Sequence, residues 1–220
     1  MTTDTHQIEN PDEHAPESII GDDAKRAVKE AENGLDQFTF AREVISNAVS
    51  DDRVFKLRPS LLLELNRLAI DGVMRSAGRY RSIQVKVGNH MPPKWNDVPG
   101  HVDDMVDYVN ENINADPIHI AAYLLWRLNW IHPFVDGNGR TTRMISYIVL
   151  CARLGVELPG INTIPEQIAA TKSSHGGNAP YYKGLQAADA AWANGVIDVS
   201  GLEQMINDML KVQLESHFNG

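Results

Sequence analysis

Apolar and polar positions along the 220-residue chain recur mainly at helical spacing. The two most apolar stretches, residues 118–130 and 144–154, are hydrophobic on nearly every face, as buried helices are. The first follows Asp116-Pro117, an N-cap carboxylate with proline at the first helical position, and the second stops at Gly155, a residue suited to a left-handed C-terminal cap. Periodicity and caps together predict helices over 22–33 and 38–49, a pair split by Gly34, then over 60–70, 98–112, 117–131, 138–154, 165–172, 180–192 and 200–217. The last helix carries Leu202, Met205, Ile206, Met209, Val212 and Leu214, a stripe suited to the core or to a homodimer contact. One segment departs from the pattern. Ile83-Gln84-Val85-Lys86-Val87 alternates over a strand length and runs into Gly88-Asn89, predicting a short exposed β-hairpin. The fold class is therefore all-α, with one hairpin and no internal repeat.

Composition narrows the partners. A net charge of −9 and a pI near 5.3, without a basic stripe, argue against nucleic acid, so phosphate binding should be local. The single cysteine, Cys151, excludes an internal disulfide and suits a reducing cytosol. No apolar run approaches the roughly twenty residues of a membrane span, and no basic-then-apolar signal opens the chain, so the expected location is cytoplasmic with no membrane partner. Residues 1–21 are acidic and lysine-free, reading as a flexible tail ahead of a single domain.

Chemistry concentrates between the two apolar helices, in Ile131-His132-Pro133-Phe134-Val135-Asp136-Gly137-Asn138-Gly139-Arg140-Thr141-Thr142-Arg143. Gly137 and Gly139 can take positive φ, which lets backbone N–H groups converge on an anion where the next helix presents its own free donors. Arg140 and Arg143 share one face of the first helical turn. Cations there oppose the macrodipole, a penalty that a bound polyphosphate reverses. His132, with an ordinary pKa of about 6.5 raised somewhat by the helix C-terminus, suits a general base toward an attacking hydroxyl; capping the last carbonyls is the other role open to it. Asp136 is a hard oxygen ligand for Mg²⁺, which takes one or two protein carboxylates and completes its shell with phosphate and water.

The string from His132 to Arg143 resembles the complete signature of the Fic family (filamentation induced by cAMP), most of whose full-signature members transfer AMP from ATP to a protein hydroxyl. Ala77-Gly78-Arg79-Tyr80-Arg81 and Val85-Lys86-Val87-Gly88-Asn89-His90-Met91-Pro92-Pro93 are similar to the family's flap. The resemblance implies a Fic-type bundle with a catalytic core over 59–192, an N-terminal helical pair over 22–58 and a C-terminal helix over 193–220 packed on the core. It implies His132 as base, Asp136 as the ligand of Mg²⁺ or Mn²⁺, and an anion hole of Gly137, Asn138 and Gly139. Arg140 would hold the β-phosphate and Arg143 the γ-phosphate, with Thr141 and Thr142 inside the same nucleotide-binding signature. Val87, Gly88, Asn89 and His90 would line the nucleotide cleft, and Tyr181, Tyr182 and Asp189 would lie around adenine; in isolation the two tyrosines read as core aromatics.

The flap's exposed edge would clamp a segment of the target protein by main-chain hydrogen bonds, presenting a tyrosine, threonine or serine. Glu32-Asn33 resembles the end of the family's inhibitory helix motif, with Val28 where that motif has serine or threonine. Glu32 is thereby expected to pair with Arg143, and could also position a water to remove AMP. The alternatives are a non-catalytic nucleotide-binding regulator, or transfer of another phosphate-linked group such as UMP or phosphocholine.

Overall fold

The computed structural model of the chain describes residues 18–51, 53–175 and 179–218. Within them lie eight α-helices, here α1 (Asp23–Ser50), α2 (Pro59–Ile70), α3 (Val98–Glu111), α4 (Pro117–Ile131), α5 (Asn138–Leu154), α6 (Ile164–His175), α7 (Pro180–Trp192) and α8 (Ser200–Phe218). The all-α expectation holds, and α4, α5 and α7 have the bounds that caps and periodicity predict. Asp116 accepts from the Ile118 amide, and Gly155 closes α5 at φ 67°.

The central pair is α4 and α5, packed on each other; α3, α7 and α8 cover α4, while α1, α2 and α6 cover α5. Their near-continuous apolarity follows from this position, since Ile120 to Leu125 and Ile145 to Leu150 all contribute buried residues. Ser146 donates to the Ala121 carbonyl at 2.8 Å and ties the pair together inside the core. The α8 stripe divides. Leu202, Met205, Ile206 and Met209 are buried in the core, whereas Val212 and Leu214 are exposed.

Three expectations are corrected. The helix break at Gly34 does not occur, and α1 runs through it as one helix of 28 residues. A helical glycine costs about 1 kcal/mol, which the buried face offsets. Asn33 donates to the Asp71 carbonyl at 2.8 Å and Gln37 to the Leu65 carbonyl at 2.7 Å, while Ala41 and Ile45 continue the same face into the core. Polar residues thus do the docking where an apolar stripe would have been legible.

The expected flexible tail is corrected only at its described end. Residues 1–17 lie outside the described residues, but Ser18 bridges Met74, and the Ile19 amide donates to the Val73 carbonyl at 2.8 Å.

The flap, residues 83–93, is a tight loop rather than a two-stranded hairpin. A single antiparallel bridge joins Val87 and His90 around Gly88, which sits at φ 58°. Pairing stops there for a chemical reason: Pro92 and Pro93 have no N–H to offer a returning ladder. Their carbonyls are taken by side chains instead, Pro92 by Gln84 at 3.0 Å and Pro93 by Arg81 at 2.5 Å.

Candidate active site

The α4–α5 junction is held in a single shape by buried polar groups. His132 caps α4 in the left-handed region, φ 49° and ψ 62°, with its amide on the Leu128 carbonyl at 2.9 Å. Asn138 and Phe134 exchange two hydrogen bonds, Asn138 Nδ2 to the Phe134 carbonyl at 2.8 Å and the Phe134 amide to Asn138 Oδ1 at 3.0 Å. Phe134 itself is buried. From α2, the fully buried Asn66 donates to the Asp136 carbonyl at 2.9 Å and accepts from the Gly78 amide at 3.1 Å. Gly137 sits at φ 78°, and a Cβ on it would lie 2.9 Å from both Asn66 Nδ2 and Ile70 Cγ2. Glycine is therefore required there by conformation and by space.

This scaffold gathers His132, Asp136, Gly137, Asn138, Gly139, Arg140 and Arg143 around one cavity of about 270 Å³. Intrahelical pairing in α5 begins at Thr141, whose amide reaches the Gly137 carbonyl at 2.9 Å. The amides of Asn138, Gly139 and Arg140 precede it and have no carbonyl one turn back, which makes them the anion-facing donors. Two expected participants are refined. The Gly137 amide is engaged by Asp136 Oδ1 at 2.5 Å, and the Asn138 side chain is consumed in holding Phe134, so only its backbone is available. Thr141 and Thr142 are buried under the loop and do not line the cavity.

Arg143 is the unusual charge. Burial lowers its pKa, and its electrostatic neighbours are Tyr181, Arg140 and Tyr182. Among the described residues no carboxylate pairs with it, and a desolvated guanidinium without a counter-charge is costly unless an anion joins it.

Asp136 bears the opposite charge. Among the described residues, no three His, Cys, Asp or Glu side chains gather into a metal-binding group. A magnesium ion carried by nucleotide phosphates needs only one or two protein carboxylates, and Asp136 Oδ2 already holds a cation, the Arg26 guanidinium at 2.7 Å. The residue therefore fits the role of a lone metal ligand.

Arg26 belongs to α1, which reaches the cavity in a register different from the expected one. Glu30 pairs with Arg26 at 3.0 Å and with Arg140 at 3.4 Å. Glu32 points elsewhere: its side chain is 60% exposed and pairs with Lys29 at 3.5 Å, so the expected contact with Arg143 is absent. Helical geometry explains the difference. Arg26, Glu30, Asn33, Gln37 and Ala41 follow one another at three- or four-residue steps on the face that docks, and Glu32, two residues past Glu30, lies about 200° around the helix from it.

His132 is also corrected. Its pKa is lowered to about 4 by burial first, then by the Arg81 and His90 charges, against smaller raising effects of the Asn129 backbone and Asp136. A helix C-terminus contributes at most about 2 kcal/mol in favour of the imidazolium, whereas burial can shift a pKa by about 3–5 units. Desolvation wins, and the imidazole is neutral at physiological pH.

A second cavity, of about 680 Å³, has Trp126, Asn129 and Trp130 as its α4 wall. Val87, Gly88, Asn89 and His90 of the flap line it with Tyr182 and Asp189. His90 Nε2 donates to the Trp130 carbonyl at 2.8 Å, and Trp126 Nε1 donates to Asp189 at 2.8 Å. Tyr181 does not line it. It is buried, with its hydroxyl accepting from Asn129 at 2.7 Å, which is the core-aromatic role.

The site residues that the sequence did not reveal are Arg26, Glu30, Asn66 and Arg81. A polar Asn66 amid the leucines of α2 was the available signal for one of them.

Residues 56–150 match the model of the Fic/DOC family. The chain is similar to a protein adenylyltransferase Fic from Nematostella vectensis, 41% identical over 76 residues, which is 34% of this chain and 18% of that protein. It is also similar to the protein adenylyltransferase fic-1 of Caenorhabditis elegans, 36% identical over 92 residues, 40% of this chain and 18% of the relative. The matched stretch thus spans under a fifth of these relatives' length. Among solved structures, a Fic domain containing signaling protein from Bacteroides thetaiotaomicron aligns with a TM-score of 0.67 at 24% identity, over 89% of this chain and 73% of that one. A Fic family protein from Desulfovibrio desulfuricans G20 aligns at 0.61 and 22% identity, over 90% and 55%. At these identities the structures speak to the fold alone.

Proposed function

On the match of residues 56–150 to the Fic/DOC family model, we propose that the chain transfers AMP from ATP to a tyrosine, threonine or serine hydroxyl of a target protein. The observation that carries this reading is the meeting, on one cavity, of a neutral, half-buried imidazole, a row of helix N-terminal amides and a half-buried arginine without a carboxylate partner among the described residues.

In this reaction the hydroxyl oxygen attacks the α-phosphorus, the bond to the bridging oxygen breaks, and pyrophosphate leaves in line. His132, neutral and therefore able to accept, takes the hydroxyl proton. The amides of Asn138, Gly139 and Arg140 face the charge that grows on the α- and β-phosphates. Arg140 holds the β-phosphate and Arg143 the γ-phosphate, where the cost of its burial is recovered. Asp136 would hold Mg²⁺ or Mn²⁺, which supplies charge neutralisation alongside the phosphates. The base occupies the second cavity between the flap and Asp189. The target lies along the flap.

Self-inhibition is part of the proposal, transferred from Glu32 to the pair Arg26 and Glu30. Arg26 occupies the carboxylate that the metal needs, and Glu30 occupies the arginine that the β-phosphate needs. Holding a protein about 99% inactive takes about 2.7 kcal/mol. Partly exposed ion pairs contribute up to about 1 kcal/mol each, so the linked contacts of Arg26, Glu30, Asp136 and Arg140 approach that order only together. Any water positioned for AMP removal would face Glu30.

Incubating the chain with α-labelled ATP, Mg²⁺ and a lysate tests the reading. Covalent label on protein is expected. Saturable ATP binding that leaves no label would establish a nucleotide-binding regulator, and preferential labelling from UTP would change the transferred group.

A further inference from the structure

Arg81 is a nearly fully buried arginine, 2% exposed, with no carboxylate partner among the described residues. Its guanidinium is satisfied by backbone carbonyls alone. Nε donates to His132 at 2.8 Å, Nη1 to Ile83 at 3.0 Å, and Nη2 to Pro93 at 2.5 Å and Ile131 at 3.5 Å. Its own amide donates to the Pro133 carbonyl at 2.9 Å.

These acceptors form two groups. Ile131 and His132 carry carbonyls at the C-terminus of α4, where helices leave acceptors unpaired and favour a cation. Ile83 and Pro93 are the two ends of the flap, which lacks a ladder of its own because prolines follow its turn. One planar fork thus joins both ends of the flap to the backbone of His132, at the residue that holds positive φ.

We propose that Arg81 is the positioning residue of the reaction, fixing the flap's target edge at a set distance from the His132 imidazole. The proposal rests on the reading of His132 as the base. Lysine preserves the charge at this position but has no rigid fork, so it cannot serve both flap ends and the α4 terminus at once. The flap tip keeps its separate anchor, His90 on the Trp130 carbonyl, so loss of the clamp should release the neck while leaving the nucleotide side of the flap in place. An arginine that merely filled the core would behave differently: replacement would lower stability and ATP affinity together and leave the chemistry of the folded fraction unchanged.

The test compares the full chain with Arg81→Lys and with Arg81→Met, a second variant that retains the buried stem. Self-labelling is read at saturating Mg²⁺·ATP in a Glu30→Gly background, ATP affinity by calorimetry, and amide hydrogen exchange over residues 82–93 by mass spectrometry. Both variants should bind ATP within threefold of the parent. Their saturated labelling rate should fall at least thirtyfold, and exchange at the flap neck should accelerate at least tenfold. Labelling within twofold of the parent, or unchanged exchange at the neck, would overturn the proposal. So would loss of ATP affinity in proportion to loss of rate, which marks a structural role. If the parent transfers no AMP, the reading of His132 fails, and the exchange measurement still decides whether Arg81 ties the flap to α4.

Discussion

The Arg26 guanidinium lies 2.7 Å from Oδ2 of Asp136, joining α1 to the catalytic junction across 110 positions of sequence. Asp136 is thereby occupied by a cation of the chain's own, which a metal entering with ATP, as the proposed function has it, would have to displace.

Arg26→Ala should therefore tighten Mg²⁺·ATP binding and raise self-labelling by roughly tenfold, the scale of 1.4 kcal/mol for a lost competitor. Glu30→Gly should raise it as much or more, because it removes the Glu30 contact from Arg140 and leaves Arg26 held by Asp136 alone. Glu32→Gly should stay within twofold of the parent. Parallel labelling assays with calorimetry check all three, and activation by Glu32→Gly alone would return the inhibitory role to the sequence-based register.

That register shows where legibility ended. The helices, the junction and the cavity-lining residues from His132 to Arg143 could be read because apolar periodicity, caps and glycines act locally. The face of α1 could not. It docks through Asn33 and Gln37, whose partners are the carbonyls of Asp71 and Leu65 on another element. The flap failed for a related reason. Alternation at 83–87 announced a strand, but pairing is settled by what comes back after the turn, and Pro92 and Pro93 bring no donors. The depressed pKa of His132 likewise depends on burial and on the Arg81 and His90 charges, which only the assembled fold supplies.

The pH dependence follows from that depression. A base with a pKa near 4 in the folded chain stays neutral well below the ordinary histidine value. The acid limb of kcat/KM assigned to His132 should consequently lie below pH 5, with no loss attributable to it between pH 8 and pH 6. The same shift has a stability sign. Between about pH 6.5 and pH 4 the unfolded chain binds a proton that folded His132 does not, so the full contribution is present above 6.5 and is lost as pH falls toward 4. An activity limb centred near 6.5 would contradict the half-buried, neutral imidazole.

Gly137→Ala should be among the most disruptive small changes. It forces a side chain to φ 78° and sets a methyl 2.9 Å from Asn66 and Ile70. Left-handed strain of about 1–2 kcal/mol and overpacking of about 1–3 kcal/mol combine. For a chain of this size the melting temperature should fall by about 5–15 °C, with weakened ATP binding. Calorimetric melting and titration would read both, and a neutral result would mean that the junction relaxes easily.

Asp136→Ala should abolish the metal requirement for nucleotide binding, and Arg140→Ala should weaken ATP binding more than AMP binding. Titrations with and without Mg²⁺ separate the two. A normal metal requirement in the Asp136 variant would place the ligand elsewhere.

The central claim is that His132 takes the proton of a protein hydroxyl while the α-phosphate is transferred. It is tested most directly by comparing Glu30→Gly with Glu30→Gly/His132→Ala, using ATP labelled at the α- or the γ-phosphate. The account predicts covalent protein label from the α-labelled nucleotide only, lost by at least a hundredfold in the double variant while ATP affinity stays within a few-fold. Label arriving from the γ-phosphate, or undiminished α-labelling without His132, would contradict it.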